Sequence, residues 1–171
     1  MIYLLDANTL INAKNFYYPI DRIPEFWEWL VHQGELGNIK IPLEIYEEFK
    51  DKRDQNGDMD ELAVWAEQDE VKEALLLNEE ANMEAVRRVT YEGYLPDPTD
   101  DQIETMGRDP FLISYALLDK ENRCIVTSEV SKPKKQGPNR HIPDVCRTLE
   151  VNCMDSHKLI RVLDFSTAWK G

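Results

Sequence analysis

Four acidic residues stand where apolar segments begin or end, although they are far apart along the chain. Asp6 follows an apolar run at the N-terminus, and Asp109 directly precedes a strongly apolar segment. Glu48 lies beside the apolar Phe49, and Glu129 ends a stretch of β-branched residues and hydroxyls. Carboxylates gathered at one place repel one another at neutral pH unless they share a cation or a proton. The pattern therefore predicts a divalent-metal site, and without metal the four carboxyls should titrate as a coupled set with raised pKa values.

Each aspartate taken alone has a simpler explanation, which is a capping role at the start of a helix. Asp6 comes between a predicted strand and a predicted helix, where an aspartate often caps the helix or forms a turn. Asp109 followed by Pro110 is typical of an N-cap with a first-turn proline, and Asp144 after Pro143 is ambiguous in the same way. The two roles are compatible, because a capping carboxylate can still present its outer oxygen to a metal ion.

Further polar residues accompany these acids and could support them. Glu44 and Glu48 are four residues apart, so we expect them on one face of a helix that starts near a proline and runs to an apolar residue at position 49. Glu48 is the preferred candidate because it directly precedes that core position. Asn8 and Thr9 could orient the first aspartate or hold a water molecule, or either could cap the following helix.

The segment around the last acid combines hydroxyls, an acid and a basic loop. Thr127 and Ser128 immediately precede Glu129, although a plain turn at the end of a strand would look the same. The loop that follows carries four basic residues, which are Lys132, Lys134, Lys135 and Arg140. Such a loop is in general a solvated segment, but beside an acidic metal site these residues could contact substrate phosphates.

Composition and charge bound the class of protein. With 171 residues and 42% hydrophobic content, the chain is long enough for one domain with its own core. No segment has the length and apolarity of a membrane span or the pattern of a signal peptide, so we expect a soluble cytoplasmic protein with no membrane partner. Three scattered cysteines predict reduced thiols and no zinc site.

Net charge is −13, but it is unevenly distributed along the chain. Residues 60 to 104 contain fourteen acids and three bases, whereas residues 105 to 171 contain eight acids and eleven bases. The mildly basic last third could therefore face a polyanion that the rest of the chain would repel.

Predicted strands alternate with predicted helices along most of the chain. This order is typical of an α/β domain with a mainly parallel sheet, here one domain over residues 1 to 171. Residues 60 to 104 read as an acidic helical insert that closes in a proline-rich turn. In such sheets ligands bind beyond the carboxyl ends of the strands, and Asp6 and Glu129 both follow predicted strands.

Four short motifs, taken in order, resemble those of PIN-domain proteins. Leu5-Asp6-Ala7-Asn8-Thr9-Leu10-Ile11 is similar to the first acidic motif of that family, and Ile41-Pro42 through Glu48-Phe49 is similar to the second. Arg108-Asp109-Pro110-Phe111-Leu112-Ile113 resembles the third, and Ile125-Val126-Thr127-Ser128-Glu129 the fourth. Ile142-Pro143-Asp144-Val145-Cys146 resembles a short motif of one PIN-like subgroup.

The resemblance implies a fold, an activity and partners. The fold would be a three-layer α/β/α sandwich with the acidic insert added, and the activity would be metal-dependent cleavage of RNA. Asp6, Glu48, Asp109 and Glu129 would surround Mg²⁺ or Mn²⁺. Many members have Asp in the fourth motif where this chain has Glu129, so Glu129 and Asp144 compete for the fourth position. A toxin of a bacterial toxin–antitoxin pair would also have an antitoxin that covers the cleft.

Two other functions and one further partner are compatible with the sequence. A PIN-like binding module without turnover would act on a protein partner through the acidic insert. A phosphatase of the haloacid dehalogenase type would need a second Asp two residues after Asp6, where this chain has Asn8. Phe16, Tyr17 and Tyr18 could form the contact of a homodimer or could be ordinary core.

Overall fold

A four-stranded sheet, with all strands parallel, lies at the centre of the molecule. The computed structural model describes all 171 residues. The strands are β1 (Ile2–Leu5), β2 (Ile39–Lys40), β3 (Arg123–Val126) and β4 (Cys153–Met154), and they pair in the order β2-β1-β3-β4. Helices accompany the sheet throughout the chain, and the fold is a three-layer α/β/α sandwich. This confirms the predicted fold class.

Ten α-helices surround the sheet, and most are short. They are α1 (Ala7–Asn12), α2 (Pro24–Glu35), α3 (Leu43–Tyr46), α4 (Glu61–Ala66), α5 (Asp69–Leu75), α6 (Met83–Arg88), α7 (Asp100–Met106), α8 (Asp109–Leu117), α9 (Ile142–Leu149) and α10 (Ser156–Val162). Two π-helical segments extend α1 and α6, at Ala13–Tyr17 and Val89–Tyr94, and a 3₁₀ turn covers Gly137–Asn139. None of the helices is long and apolar enough to cross a membrane.

Strand β1 occupies the centre of the sheet because its side chains are apolar on both faces. Tyr3, Leu4 and Leu5 are all buried, as expected for a parallel strand covered by helices on either side. It pairs with β3 in a register that sets Leu5 opposite Val126. The two strands therefore end side by side, at the same edge of the sheet.

The strand order creates a crevice at that edge. The chain passes from β1 to β2 on one side of β1, and later enters β3 on its other side. Connections that leave adjacent strands in opposite directions leave a gap beyond their carboxyl ends, and ligands of α/β proteins bind there. Asp6 follows β1 and Thr127 follows β3, so the fold places both residues at this crevice.

The acidic segment from 60 to 104 is helical, as the sequence predicts, and it shares the core of the sheet. The Trp65 ring packs edge-on against Trp27 of α2, with ring centroids 4.7 Å apart. Leu62, Leu75 and Val89 belong to the same buried cluster as the strands. The insert is therefore an integral part of one hydrophobic core.

The predicted helix from position 42 to Phe49 is wrong in its length. The α-helix ends at Tyr46, and the chain continues as turns through Glu48 to Phe49, which is completely buried. Glu44 and Glu48 are consequently not held on one face of a regular helix. The early end of α3 therefore allows the two carboxyl groups to take different positions.

Candidate functional site

Asp6 lies at the bottom of the crevice, fixed between the two central strands. Its residue is only 1% exposed, and its backbone N–H donates to the carbonyl of Val126 at 2.9 Å. The Thr127 hydroxyl donates to Asp6 Oδ2, also at 2.9 Å. Because the carboxyl ends of β1 and β3 are held in register, these contacts give the carboxylate a defined orientation.

The capping explanation does not account for Asp6. The residue stands at the N-cap position of α1, but its side chain makes no capping hydrogen bond. Its pKa is raised to about 6, mainly by burial and also by the nearby charge of Glu129. The Thr127 hydrogen bond and the N–H groups of Asn8 and Ala7 lower the pKa but do not cancel the effect of burial.

Asp109 comes from a distant part of the chain and meets the same crevice. The N-cap of α8 is Arg108, so Asp109 is the first residue of the helix and forms no side-chain cap. Burial raises its pKa to about 8, helped by the charges of Asp6, Glu129 and Glu48 in that order. Asp109 therefore lies within range of the charges of the other three predicted acids.

Glu48 forms the outer rim of this group. Its residue is exposed, since it follows α3 in a surface turn. Partial desolvation of the carboxyl group is nevertheless the main cause that raises its pKa to about 7, and the charge of Asp6 adds to it. The guanidinium of Arg108 acts in the opposite direction. Arg108 is a neighbour that the sequence did not single out.

Glu129 stands at the fourth position and has two functions. Its Oε2 accepts a hydrogen bond from the Ile142 N–H at 2.7 Å, which caps the start of α9. Its own N–H donates to Thr127 Oγ1 at 3.1 Å, next to the hydrogen bond that holds Asp6. Its charge also acts on Asp6 and Asp109. We call Asp6, Glu48, Asp109 and Glu129 the acidic cluster.

Asp144 does not belong to the acidic cluster. It is 5% exposed, and both of its oxygens are occupied, by the Ser131 hydroxyl at 2.5 Å and by the Lys132 N–H at 2.7 Å. Burial would raise its pKa, but these two hydrogen bonds and the charges of Arg147 and Arg140 outweigh burial and lower it. Asp144 therefore connects the basic loop to α9, and Glu129 is the acid whose charge acts on Asp6 and Asp109.

The predicted supporting residues separate into two groups. Thr9 donates to the carbonyl of Val126 at 3.2 Å, and Ser128 accepts from Asn12 Nδ2 at 2.8 Å, so both tie α1 to the end of β3. Asn8 is exposed. Glu44 is bound elsewhere, to the hydroxyl of Tyr115 at 3.2 Å.

Of the four basic residues predicted to contact phosphates, Arg140 has a different role. Its guanidinium donates to the Gly93 carbonyl, to the Asp144 carbonyl at 2.9 Å and to Thr148 Oγ1 at 2.7 Å. A side chain with so many intramolecular partners is a structural clamp. The guanidinium of Arg140 is therefore engaged within the protein, whereas Lys132, Lys134 and Lys135 are exposed and remain the predicted phosphate contacts.

A polar groove of about 840 Å³ adjoins the acidic cluster beyond the ends of β3 and β4. Glu129 and Thr127 form part of its wall, so the groove and the cluster share residues. Its other polar lining residues include Asn12, Tyr17, Ser128, Arg147, Asn152 and His157. The volume falls within the range of sites that hold small ligands or a few units of a polymer.

The side chains as they lie do not form a closed metal cage. No group of three or more His, Cys, Asp and Glu side chains is close enough together to hold a metal ion. What the structure brings together is a set of carboxylates whose charges interact: Asp6 is buried, Asp109 and Glu129 are half-buried, and Glu48 is exposed. Tyr94, whose hydroxyl is near Asp109, was missed in the sequence because it ends the acidic insert with no motif around it.

Comparison with known proteins gives a family but no activity. The model of the family described as "Domain of unknown function (DUF4411)" matches residues 3–167. No curated protein matches the chain, and no solved structure does.

Proposed function

The chain belongs to the DUF4411 family, and we propose that it is a metal-dependent endoribonuclease that cleaves RNA phosphodiester bonds. One observation carries the proposal. Asp6, Glu48 and Asp109 come from separate elements, meet at the crevice between β1 and β3, and have pKa values of about 6, 7 and 8. Carboxylates with pKa values raised by burial and by one another concentrate at functional sites.

The donor set suits a hard divalent cation such as Mg²⁺ or Mn²⁺. Such ions prefer carboxylate oxygens, and Mg²⁺ usually keeps several of its waters, so direct contact from three side chains is not required. A cation would also relieve the repulsion that raises the pKa of Asp109. When bound, it would activate water and neutralise charge on the phosphodiester.

Each residue of the acidic cluster would have a role that follows from its position. Asp6 and Asp109 would hold the cation, because they are the most enclosed members of the cluster at the crevice. Glu48, at the exposed rim, would orient water or accept a proton on the solvent side. Thr127 fixes the Asp6 carboxylate through its hydrogen bond. Glu129 contributes charge and holds the start of α9.

The substrate side of the proposal rests on the groove and the lysines of the basic loop. Glu129 is the member of the cluster that lines the groove, so a flexible strand bound in the groove would lie beside the carboxylates. Lys132, Lys134 and Lys135 lie in the loop that follows Glu129 and are at least partly exposed. Their charges would offset the acidity of the cluster for an approaching phosphate backbone.

The biological role that we propose follows from the PIN resemblance. The chain would be the toxin of a bacterial toxin–antitoxin pair, acting on RNA in the cytoplasm and silenced by an antitoxin that covers the cleft. Co-expression with the neighbouring reading frame tests this role, since growth arrest should depend on Asp6 and should be relieved by the partner.

The activity itself is tested by a nuclease assay on single-stranded RNA with Mn²⁺. Asp6→Asn should reduce the cleavage rate at least about a hundredfold, because it removes one of the charges that hold the cation. Glu48→Gln should also impair cleavage. Glu44→Gln is the matched control for Glu48→Gln, because Glu44 precedes Glu48 by four residues but accepts a hydrogen bond from Tyr115. This control substitution should leave the cleavage rate unchanged. Equal cleavage by the parent and Asp6→Asn would remove the support for the proposal.

A second candidate is a PIN-like binding module without turnover, favoured by the absence of a closed metal cage. It would act on a protein partner through the exposed acidic face of residues 60 to 104. The same assay separates the two functions, because a binding module would show no Mn²⁺-dependent cleavage with either the parent or Asp6→Asn.

A further inference from the structure

Tyr94 carries a buried polar atom that has no partner. The residue is 7% exposed, and its hydroxyl makes no hydrogen bond to the protein. Most buried hydroxyls are satisfied, so an exception needs an explanation such as a ligand or a functional role. Tyr94 is the last residue of the π-helical segment Val89–Tyr94, at the end of the acidic insert.

The Tyr94 hydroxyl faces the acidic cluster. Burial and then the charge of Asp109 are the main causes that raise the pKa of Tyr94 well above its usual value, and Glu129 contributes as well. The hydroxyl is in turn close enough to Asp109 to lower the pKa of that carboxyl group, although burial and the neighbouring acids raise it more. The Tyr94 hydroxyl and the Asp109 carboxyl group are therefore neighbours, but no hydrogen bond joins them.

The position of Tyr94 is built by its neighbours. A Cβ atom on Gly93 would lie only 2.7 Å from Cγ1 of Val145 and 3.1 Å from Cδ1 of Leu149, so the absence of a side chain lets this segment pack directly on α9. Arg140 donates to the carbonyl of Gly93 from the other direction. Short π-helical segments recur at functional sites, where they displace a residue from regular helical positions. Here the segment brings a phenol from the insert to the crevice.

We propose that Tyr94 is a positioning residue of the acidic cluster, and that its hydroxyl donates a hydrogen bond to the Asp109 carboxylate when that carboxylate holds a divalent cation. This inference rests on the proposed function, because it needs a cation in the cluster. Carboxylates that bind metals are themselves oriented by hydrogen bonds from surrounding groups, and loss of such a group weakens metal binding about 10- to 100-fold. The acidic insert would then complete the metal site as well as the core.

The test is the dissociation constant for Mn²⁺, measured by calorimetry on the full-length parent and on Tyr94→Phe. The substitution removes one oxygen atom that has no partner, so the metal-free variant should fold and melt at or slightly above the parent's temperature. We expect its affinity for Mn²⁺ to fall about tenfold or more. Tyr115→Phe is the matched control, because the Tyr115 hydroxyl binds Glu44 outside the cluster, and it should bind Mn²⁺ as the parent does.

A second measurement does not depend on a variant. In the parent, the NMR signal of the Tyr94 ring carbon that carries the hydroxyl should shift on saturation with Mg²⁺, whereas the corresponding signal of Tyr115 should not. A parent that binds Mn²⁺ while Tyr94→Phe binds it equally well would overturn the role of Tyr94 and leave the metal site standing. A parent that binds no Mn²⁺ at all would refute the metal site and the role of Tyr94 together.

Discussion

Two aspartates of this protein are almost equally buried and behave in opposite ways. Asp6 is 1% exposed and Asp144 is 5% exposed. Burial raises the pKa of Asp6 to about 6, with one hydroxyl donor and a neighbouring acid beside it. The pKa of Asp144 is lowered, because hydrogen bonds and arginine charges outweigh the effect of burial at that carboxyl group. Burial alone therefore does not decide the state of a carboxylate, and its partners do.

The difference separates a site where charges conflict from one where they are balanced. Asp144 satisfies the hydroxyl of Ser131 and the N–H of Lys132, so its charge is balanced locally and holds the basic loop in place. The acidic cluster has an excess of negative charge and few donors, an arrangement that reduces stability when no cation is present. Proteins tolerate such local conflicts mainly where function requires them.

The largest expected effect is on the structural side of the comparison. Asp144→Ala should lower the free energy of unfolding by about 3 kcal/mol, because it leaves the Ser131 hydroxyl and the Lys132 N–H without the acceptor of their half-buried hydrogen bonds. Urea denaturation at pH 7 measures it. A decrease below about 0.5 kcal/mol, the size of an ordinary surface substitution, would contradict the structural role assigned to Asp144.

The corresponding substitution in the acidic cluster should raise the free energy of unfolding. Asp109→Asn keeps the shape of the side chain and removes a charge that burial and three acids disfavour. In EDTA at pH 8 we expect the variant to be more stable than the parent by on the order of 2 kcal/mol. The raised pKa of Asp109 is shared among the interacting acids, so removing one charge gains only part of the corresponding free energy. A destabilised Asp109→Asn would show that its charge is balanced in the folded protein.

The metal-free parent should become less stable as the pH rises from 5 to 8. The folded-state pKa values of Asp6, Glu48 and Asp109 are about 6, 7 and 8, above the usual range near 4. Between these pKa values the folded protein holds protons that the unfolded chain has already released. The resulting contribution to folding stability is complete only below the unfolded pKa and is lost as the pH rises through the folded-state pKa values.

Thermal denaturation in EDTA across this pH range measures the effect. Mn²⁺ at ten times its dissociation constant should restore about 1.4 kcal/mol at pH 8. Because the pKa of Asp144 is lowered, its contribution to stability is present at neutral pH and is lost only in acid, where protonation removes its hydrogen-bonded charge. Stability that increases from pH 5 to pH 8 without metal would contradict the raised pKa values.

The smallest effect concerns the basic loop. Lys134→Ala and Lys135→Ala remove exposed charges, so each should weaken RNA binding only a few-fold and reduce the slope of log affinity against log salt by about 0.7 for each phosphate that the variant no longer binds. Fluorescence anisotropy at several salt concentrations measures both quantities. Arg140→Ala should instead reduce stability, because Arg140 binds two carbonyls and Thr148. An unchanged salt slope for both lysine variants would place the RNA elsewhere.

Much of the fold follows from local pattern in the sequence. The apolar run before Asp6 predicts a central strand because such runs are stable only when covered on both faces. The run from Arg123 to Thr127 likewise predicts β3, and the residues that follow these two strands meet at one edge because parallel strands share their direction. The convergence of Asp6 and Glu129 is thus a consequence of strand direction.

Helix boundaries were less predictable from the sequence. Proline at position 42 marks the start of α3, but nothing local indicates that it ends at Tyr46 and leaves Glu48 in a turn. The end of this helix depends on how Phe49 is buried against the rest of the core. Tertiary packing of this kind overrides local preference.

The sequence by itself determined the order of strands and helices and the four acids that follow or border them, because periodicity and residue type are local properties. Only the tertiary structure decided that Glu129 rather than Asp144 joins the cluster, that Arg140 is a clamp and that the Tyr94 hydroxyl lies near Asp109. The physical reason is that the state of a charged or polar group depends on the donors, acceptors and charges around it. Those neighbours come from segments that are remote in the chain.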